Sequence, residues 1–244
     1  MTSLPVRSLL NGEFAPVTFR FGFIETSFSS LCDAFQKWFA NINVKYPNLR
    51  TEFIPLVAPL ATALLTLEPL TNPSDRYLIV ETNSNWTAVF ANGLRVNDVA
   101  SATGYLPTIL SCRGLEIGHT PDFSESKRKD LIRKWGNTLF ALYGPTNTDW
   151  LNRIRSVNVS NDVGGWTFEE GGEVQPFEEP EAYKNRKIRD RFTFEMLERY
   201  CRALGIELNH DDFYGPRCFT VRTTGQKHRS ELAMTIADAR AHLA

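Results

Sequence analysis

Two runs of β-branched and aromatic residues, RYLIVET (76–82) and WTAVFAN (86–92), are separated by only three residues, NSN. Runs of this composition favour strands, and so short a connection joins two strands as an antiparallel hairpin. Asn92 and Gly93, which tolerate a positive φ, mark the end of the second run. Any fold of this chain must therefore accommodate an antiparallel strand pair.

A second hairpin is predicted further along, because RIRSVNVSND (153–162) and GWTFEEGG (165–172) alternate apolar with polar residues around a glycine-rich turn. It would pack one apolar set against another across the two strands, namely Ile154, Val157 and Val159 against Trp166 and Phe168. The remaining strand-like runs are 14–25, 49–55, 113–119, 137–144 and 217–223.

Helical spacing is clearest in 26–42, where apolar residues recur every three or four positions after a capping Thr26 or Ser27. The helix predicted over 98–112 is weakened by an internal glycine and proline, and Gly205 ends the one over 193–206. Further helices are predicted over 180–191 and 230–243, and the basic stretch 124–135 is a helix or loop.

Strict β-α-β alternation is missing, so the predicted class is α+β, with a mostly antiparallel sheet built from hairpins and helices packed on one side. The 244 residues, 42% of them hydrophobic, suit one large domain or two lobes. A boundary is expected in the turn-rich PLTNPSD (69–75). We predict an N-terminal α/β lobe (1–72), a main α+β domain (73–222) and a C-terminal helical tail (223–244).

Composition narrows the functional classes. The formal net charge of -1 provides no overall attraction to nucleic acid or to an anionic membrane. The most hydrophobic segment, 53–70, is interrupted by prolines and does not resemble a membrane span. The N-terminal segment does not resemble a signal peptide. Four scattered cysteines favour buried thiols. We therefore expect a cytoplasmic protein.

Signatures of phosphate, dinucleotide, zinc and serine-hydrolase chemistry are absent from the sequence. We accordingly predict no catalytic residue, no metal and no cofactor. A His-Asp-Asp loop (210–212) could hold a divalent metal or orient a base, but an ordinary polar loop is the favoured interpretation.

The feature most relevant to function is the stretch FEEGGEVQPFEEPEAYKNRKIRDRF (168–192), in which six glutamates precede five cations. Carboxylates beside a Gly-Gly turn and at a helix start are expected to be exposed, so we predict a contact with a partner rather than acid-base chemistry. The predicted partner-binding residues are Trp166, Glu169, Glu170, Glu173, Phe177, Glu178 and Glu179.

Three alternatives stay open at this point. One is an enzyme with an unrecognised carboxylate site, built from Glu169, Glu170 or the His-Asp-Asp loop. Another is a nucleic-acid accessory protein that uses the basic runs 127–134 and 184–191, although exposed aromatics are not interleaved with them. A structural protein of a phage or mobile element is the third.

The hairpin RYLIVET/WTAVFAN together with WTFEEGGEVQPFE and YKNRKIRDRFTFEMLERYCRALGI, spanning about residues 75–215, resembles a group of uncharacterised bacterial cytoplasmic proteins. Some of these resemble candidate immunity proteins of secreted toxin systems. The resemblance implies a non-enzymatic protein that neutralises a toxin by direct binding, and it assigns no catalytic residue. Such a protein needs a stable scaffold, a charged complementary patch and aromatic anchors.

Overall fold

The computed structural model describes residues 9–94, 99–121, 136–146, 152–162, 165–225 and 233–243. Within these ranges the strands form one sheet in which all paired neighbours are antiparallel. In chain order the strands are β1 Arg20–Ile24, β2 Arg50–Val57, β3 Arg76–Thr82, β4 Thr87–Ala91, β5 Gly114–Thr120, β6 Asn137–Tyr143, β7 Arg153–Asp162, β8 Gly165–Gly172 and β9 Tyr214–Thr224. Their order across the sheet is β2-β9-β3-β4-β1-β5-β6-β7-β8, so β2 and β8 are the edge strands.

Several helices begin directly after a capping side chain. They are α1 Phe28–Lys45, α2 Leu60–Leu64, α3 Val99–Leu110, α4 Phe194–Ala203 and α5 Ile236–Ala241. Ser27 caps α1 by accepting the backbone N–H of Ser30 at 3.2 Å, as predicted, and the hydroxyl of Thr193 caps α4 in the same way. Each cap satisfies a backbone donor that the first helical turn leaves unpaired.

Helices cover both faces of the sheet, although they were expected on one side. Successive residues of a strand face opposite sides, so Ile79 of β3 belongs to the core cluster that contains α1 and α3, whereas Leu78 belongs to the one that contains α2, α4 and α5. We call these two sides the α1/α3 face and the α4 face. The run RYLIV is apolar at every position after its first, which suits a central strand buried on both faces. The predicted α+β class with an antiparallel sheet is confirmed.

The chain does not divide at residue 72. Strand β1 lies between β4 and β5, and β2 pairs with β9, so residues from the predicted N-terminal lobe belong to the same sheet as the rest. The predicted C-terminal tail is not separate either. Thr223 and Thr224 complete β9, and Ile236, Ala239 and Leu243 are buried in the core of the α4 face.

Both predicted hairpins form, and in the second Val159 lies opposite Phe168. The helix predicted over 180–191 does not form; two short 3₁₀ turns, Ala182–Lys184 and Ile188–Asp190, replace it. Arg191 Nε donates to the carbonyl of Asn185 at 2.8 Å, and a continuous α-helix would use that carbonyl for the N–H of residue 189. The basic run 127–134 lies outside the described residues.

Candidate functional site

The acidic stretch begins on edge strand β8, where the structure places three of its glutamates at the surface. Glu169 lies opposite Asn158 of β7 and therefore points to the α1/α3 face, whereas Glu170 lies opposite Val157 and points to the α4 face. Glu173 follows the strand and is exposed. All three are exposed, as expected of carboxylates beside a Gly-Gly turn, and Glu169 and Glu170 lie on opposite faces of the edge strand. We call these three residues the acidic patch.

Glu178 was predicted to contact a partner, but its side chain is fully buried. Its carboxylate accepts hydrogen bonds from Arg155 at 2.8–3.1 Å, from the hydroxyl of Tyr183 at 2.7 Å and from the backbone N–H of Gln175 at 2.9 Å. These donors satisfy both oxygens of the buried carboxylate. Glu178 therefore belongs to a buried hydrogen-bond network behind the acidic patch and is not available to another molecule.

Arg155 connects the acidic patch to this buried network, because it bonds both Glu170 and Glu178. Its guanidinium also bonds Glu170, and it donates to the carbonyls of Gly171 and Gly172 at 3.3 Å. Burial disfavours the charged guanidinium, but the bonds to the two carboxylates outweigh this and raise the pKa of Arg155. The C-terminal end of strand β8 is thus attached to the interior through the side chain of Arg155.

Two tyrosines extend this network towards α4. The hydroxyls of Tyr183 and Tyr200 lie 2.8 Å apart, and Tyr200 accepts the backbone N–H of Glu179 at 2.8 Å. Burial, supported by the hydrogen bonding of Tyr183 with Tyr200 and Glu178, raises the pKa of Tyr183 well above its usual range. Both phenols are neutral at physiological pH and act as hydrogen-bonding groups.

The remaining predicted contact residues are engaged within the protein. The side chain of Glu179 accepts two bonds from Arg199, at 2.7 and 2.9 Å. Phe177 is half-buried, with its ring centroid 6.1 Å from that of Phe140 and 5.6 Å from that of Tyr200. Trp166 is also half-buried and packs against the same core. The two aromatics therefore contribute to the core more than to an exposed anchor.

A polar cleft opens on the α1/α3 face beside the acidic patch, and sequence reasoning missed it. Its volume is about 420 Å³, within the usual range for small-molecule sites. The cleft extends from the first residue of β1 across β6 and β7 to edge strand β8. It is lined by Arg20, Asn137, Leu139, Arg153, Ser156, Asn158, Glu169, Glu170, Gly171 and Gly172.

The strand register arranges this cleft in rows across the sheet. One row contains Arg20, Gly118, Leu139, Asn158 and Glu169, each on its own strand and all on the same face. Arg20 thus stands on the inner side of the cleft and Glu169 on the side of the sheet edge. Between them, the side chains of Asn137 and Asn158 bond each other at 2.7 Å, which fixes the orientation of both amides.

Glu116 lies beside the cleft and fixes the position of Arg20. It is 1% exposed, accepts from Arg20 Nε at 2.6 Å, and accepts from the hydroxyl of Tyr143 at 3.1 Å. Burial and the charge of Glu116 raise the pKa of Tyr143 to about 12, so the phenol stays protonated and can donate. Arg153 lies over the Tyr143 ring, 6.0 Å from its centroid.

Comparisons of the chain with protein families, with curated proteins and with solved structures found no match. Among the described residues, no helix is both long enough and apolar enough to cross a membrane.

Other candidate chemistry finds no support in the described ranges. His210 and the two aspartates that follow it are exposed, and no group of three or more possible metal ligands occurs in these ranges. Burial raises the pKa of the Cys32 thiol to about 12, and those of Cys112 and Cys218 to about 11. These thiols are protonated at neutral pH and are poor nucleophiles.

Proposed function

We propose that this protein is a non-enzymatic binding module that recognises a cationic partner protein through the acidic patch Glu169, Glu170 and Glu173. The observation that carries the proposal is the state of Glu169 and Glu173. Both are exposed, and in the described part of the chain no cationic side chain lies within salt-bridge distance of either carboxylate. Their charge is available to another molecule.

The charge of the Arg155 group supports the same polarity. Arg155 carries one positive charge but bonds two carboxylates, Glu170 and Glu178, so this group has one negative charge in excess. The exposed carboxylates of Glu169 and Glu173 add to it. Clustered charges of one sign steer an oppositely charged partner during diffusion and raise the association rate.

The Arg155 network also supports binding rather than mere solvation of this strand. Edge strands with exposed backbone are mobile unless side chains attach them to the core. Arg155 bonds the carbonyls of Gly171 and Gly172 and thereby fixes the end of β8. A surface that is already ordered loses little conformational entropy when it binds.

We further propose that the partner is the toxic domain of a secreted bacterial toxin and that binding neutralises it in the cytoplasm. Toxins that attack nucleic acid present cationic clefts, and an acidic patch can occupy such a cleft. The likeness of residues 75–215 to candidate immunity proteins supports this finer statement, which rests on analogy.

The test is co-expression with the product of the adjacent open reading frame. The double variant Glu169→Lys/Glu173→Lys should reduce its co-purification at least about tenfold and should abolish protection of the host from its toxicity. The matched control is Glu52→Lys, since Glu52 is exposed on the opposite edge strand β2. Equal loss in the control, or no loss in the double variant, would refute the acidic patch as the binding surface.

A further inference from the structure

Strand β8 has β7 on one side and, among the described residues, no strand on the other. Such an edge strand presents unpaired backbone N–H and C=O groups, which can pair with a strand of another protein. The run GWTFEEGG contains no proline, so every residue of β8 has an N–H group. Arg155 bonds two carbonyls at the end of β8, which keeps this edge ordered.

The pairing of β7 shows which groups of β8 face outward. The backbone N–H of Asn161 donates to a carbonyl on the β6 side of β7 at 2.7 Å. Successive residues of an inner strand bond to opposite neighbours, so Ser160 bonds to β8, where Thr167 lies opposite it. The backbone of Thr167 therefore faces β7, and alternation turns the N–H and C=O groups of Trp166 and Phe168 to the outer side.

The outer side of β8 is open. By the same alternation the backbone of Glu170 also faces outward, and among the described residues no backbone group bonds the strand from this side. The 3₁₀ turn Ile188–Asp190 lies near both β7 and β8, hence over a face of the sheet and not beyond its edge. A further strand can therefore approach β8 without displacing another described element.

The side chains of β8 specify what a further strand must carry. Trp166 and Phe168 lie on the α4 face and are half-buried, so each keeps some exposed surface. Glu169 lies on the α1/α3 face and is exposed. Residues directly opposite each other in paired strands contact through their side chains. The matching strand therefore has apolar residues on the α4 face and cations on the α1/α3 face.

The arginines near this edge contact groups other than Glu169. Arg155 bonds two other glutamates, and Arg191 lies 5.7 Å from the centroid of an aromatic ring of β8. In the adjoining cleft, Arg153 lies over a tyrosine ring of β6 and Arg20 bonds a buried glutamate of β5. Since no cation among the described residues lies within salt-bridge distance of Glu169, its carboxylate can pair with a cation of another strand.

We propose that an extended segment of the partner protein adds to β8 as a further antiparallel strand. It carries Lys or Arg on the α1/α3 face, opposite Glu169, and β-branched or aromatic residues on the α4 face. This inference rests on the proposed function, because it specifies how the cationic partner is bound. The backbone ladder supplies affinity, and the alternating side chains fix the register.

Two N-methylated forms of one peptide separate strand addition from attraction between charges. The probe is the capped peptide KVKVKVK, methylated at the backbone nitrogens of either its valines or its lysines. In an antiparallel pair with β8, the residues opposite Phe168 bond its backbone and point to the α4 face, so the valine N–H groups form the ladder. Calorimetric titration of the full chain at low salt should show at least about tenfold weaker binding for the N-methyl-valine form, and unchanged binding for the N-methyl-lysine form.

Hydrogen exchange locates the bound peptide. In the free protein the amides of Thr167 and Glu169, which face β7, should exchange slowly, whereas those of Trp166, Phe168 and Glu170 should exchange fast. The unmethylated peptide should slow exchange at the latter three at least about tenfold. Equal binding of the two methylated forms, protection of β2 in place of β8, or no binding of the unmethylated peptide at about 1 mM would overturn the proposal.

Variants separate this proposal from the acidic patch as such. Glu169→Gln should weaken binding of the unmethylated peptide about three- to fivefold, and the matched control Glu52→Gln on β2 should leave it unchanged. Loss of co-purification in Glu169→Lys/Glu173→Lys together with equal binding of the methylated forms would refute strand addition alone. Unchanged co-purification together with selective loss on valine methylation would refute the acidic patch alone.

Discussion

His119 is an ionisable residue held in an environment that disfavours its charge. It lies on β5 with its ring centroid 4.5 Å from that of Phe194, and its Nδ1 is 3.1 Å from the hydroxyl of Thr138. Burial lowers the pKa of His119 to about 4, although the nearby charge of Glu195 acts in the opposite direction. At neutral pH the imidazole is uncharged in the folded protein.

This residue should make the fold sensitive to acid. Its folded-state pKa lies below the unfolded value, so the unfolded chain binds more protons between the two values and stability falls as pH drops. We expect a loss of about 2 kcal/mol between about pH 7 and about pH 5, and His119→Gln should remove most of it.

Urea unfolding at the two pH values measures this change. The control is His210→Gln, because His210 is exposed, and this variant should keep the wild-type dependence on pH. An unchanged pH dependence in His119→Gln would contradict the prediction.

Residue alternation predicted part of the site and missed the rest for a physical reason. The period of two in RIRSVNVSND places Arg155 on the same side as Val157 and Val159, yet a charged residue is not expected inside a core. Its partner Glu178 lies 23 residues away, so only the folded chain brings the two together. Glu116, flanked by Leu115 and Ile117, carried a weak signal as a charge within an apolar strand.

At the scale of elements, α3 packs closely against the sheet because two strands present glycine there. A Cβ atom at Gly22 of β1 would meet the side chain of Thr103, and a Cβ at Gly114 of β5 would meet the Thr103 carbonyl and the Pro107 ring. Because α3 lies this close to the strands, one face of the helix is buried against the sheet without long side chains filling the space between helix and strands. The internal glycine and proline weakened the prediction of α3, but the helix forms because tertiary packing outweighs propensity.

Enlarging one of these glycines should therefore separate α3 from the sheet. We expect Gly114→Ala to lower the free energy of unfolding by about 1–3 kcal/mol, since neither clashing group is the end of a flexible side chain. Gly171→Ala is the matched control, because a Cβ there meets no atom within 4 Å. Denaturant unfolding compares the two, and equal stabilities would show that α3 can shift without cost.

At the scale of the whole molecule, one sheet joins residues from both ends of the chain. The turn signals in PLTNPSD were expected to mark a domain boundary. They separate α2 from β3, but they do not separate domains, because the partners of β1 and β2 lie far along the sequence. Local composition marks the end of an element and contains no information on which strands pair across the sheet. Of the predictions about the fold, the division into lobes therefore differs most from the structure.

Cooperative unfolding of the whole chain follows from this arrangement. A fragment of residues 73–244 lacks β1 and β2. It leaves β4, β5 and β9 with one neighbour each instead of two and splits the sheet where β1 lay, so we expect it to remain unfolded. Near-ultraviolet circular dichroism and thermal unfolding measure this, with the full chain as the reference that shows one transition. A cooperative transition in the fragment would demonstrate an independent domain after all.

The two edge strands of the sheet, β2 and β8, differ in how they prevent another chain from pairing with them. Unpaired strand edges can template fibrils, because another chain can extend the hydrogen-bond ladder. On edge strand β2, Pro55 has no backbone N–H to donate to another strand. On edge strand β8, the glutamates repel the β8 strand of a second copy of the chain. This long sheet thereby resists polymerisation at both edge strands, even though the exposed side chains of Ile54 and Val57 leave apolar surface on β2.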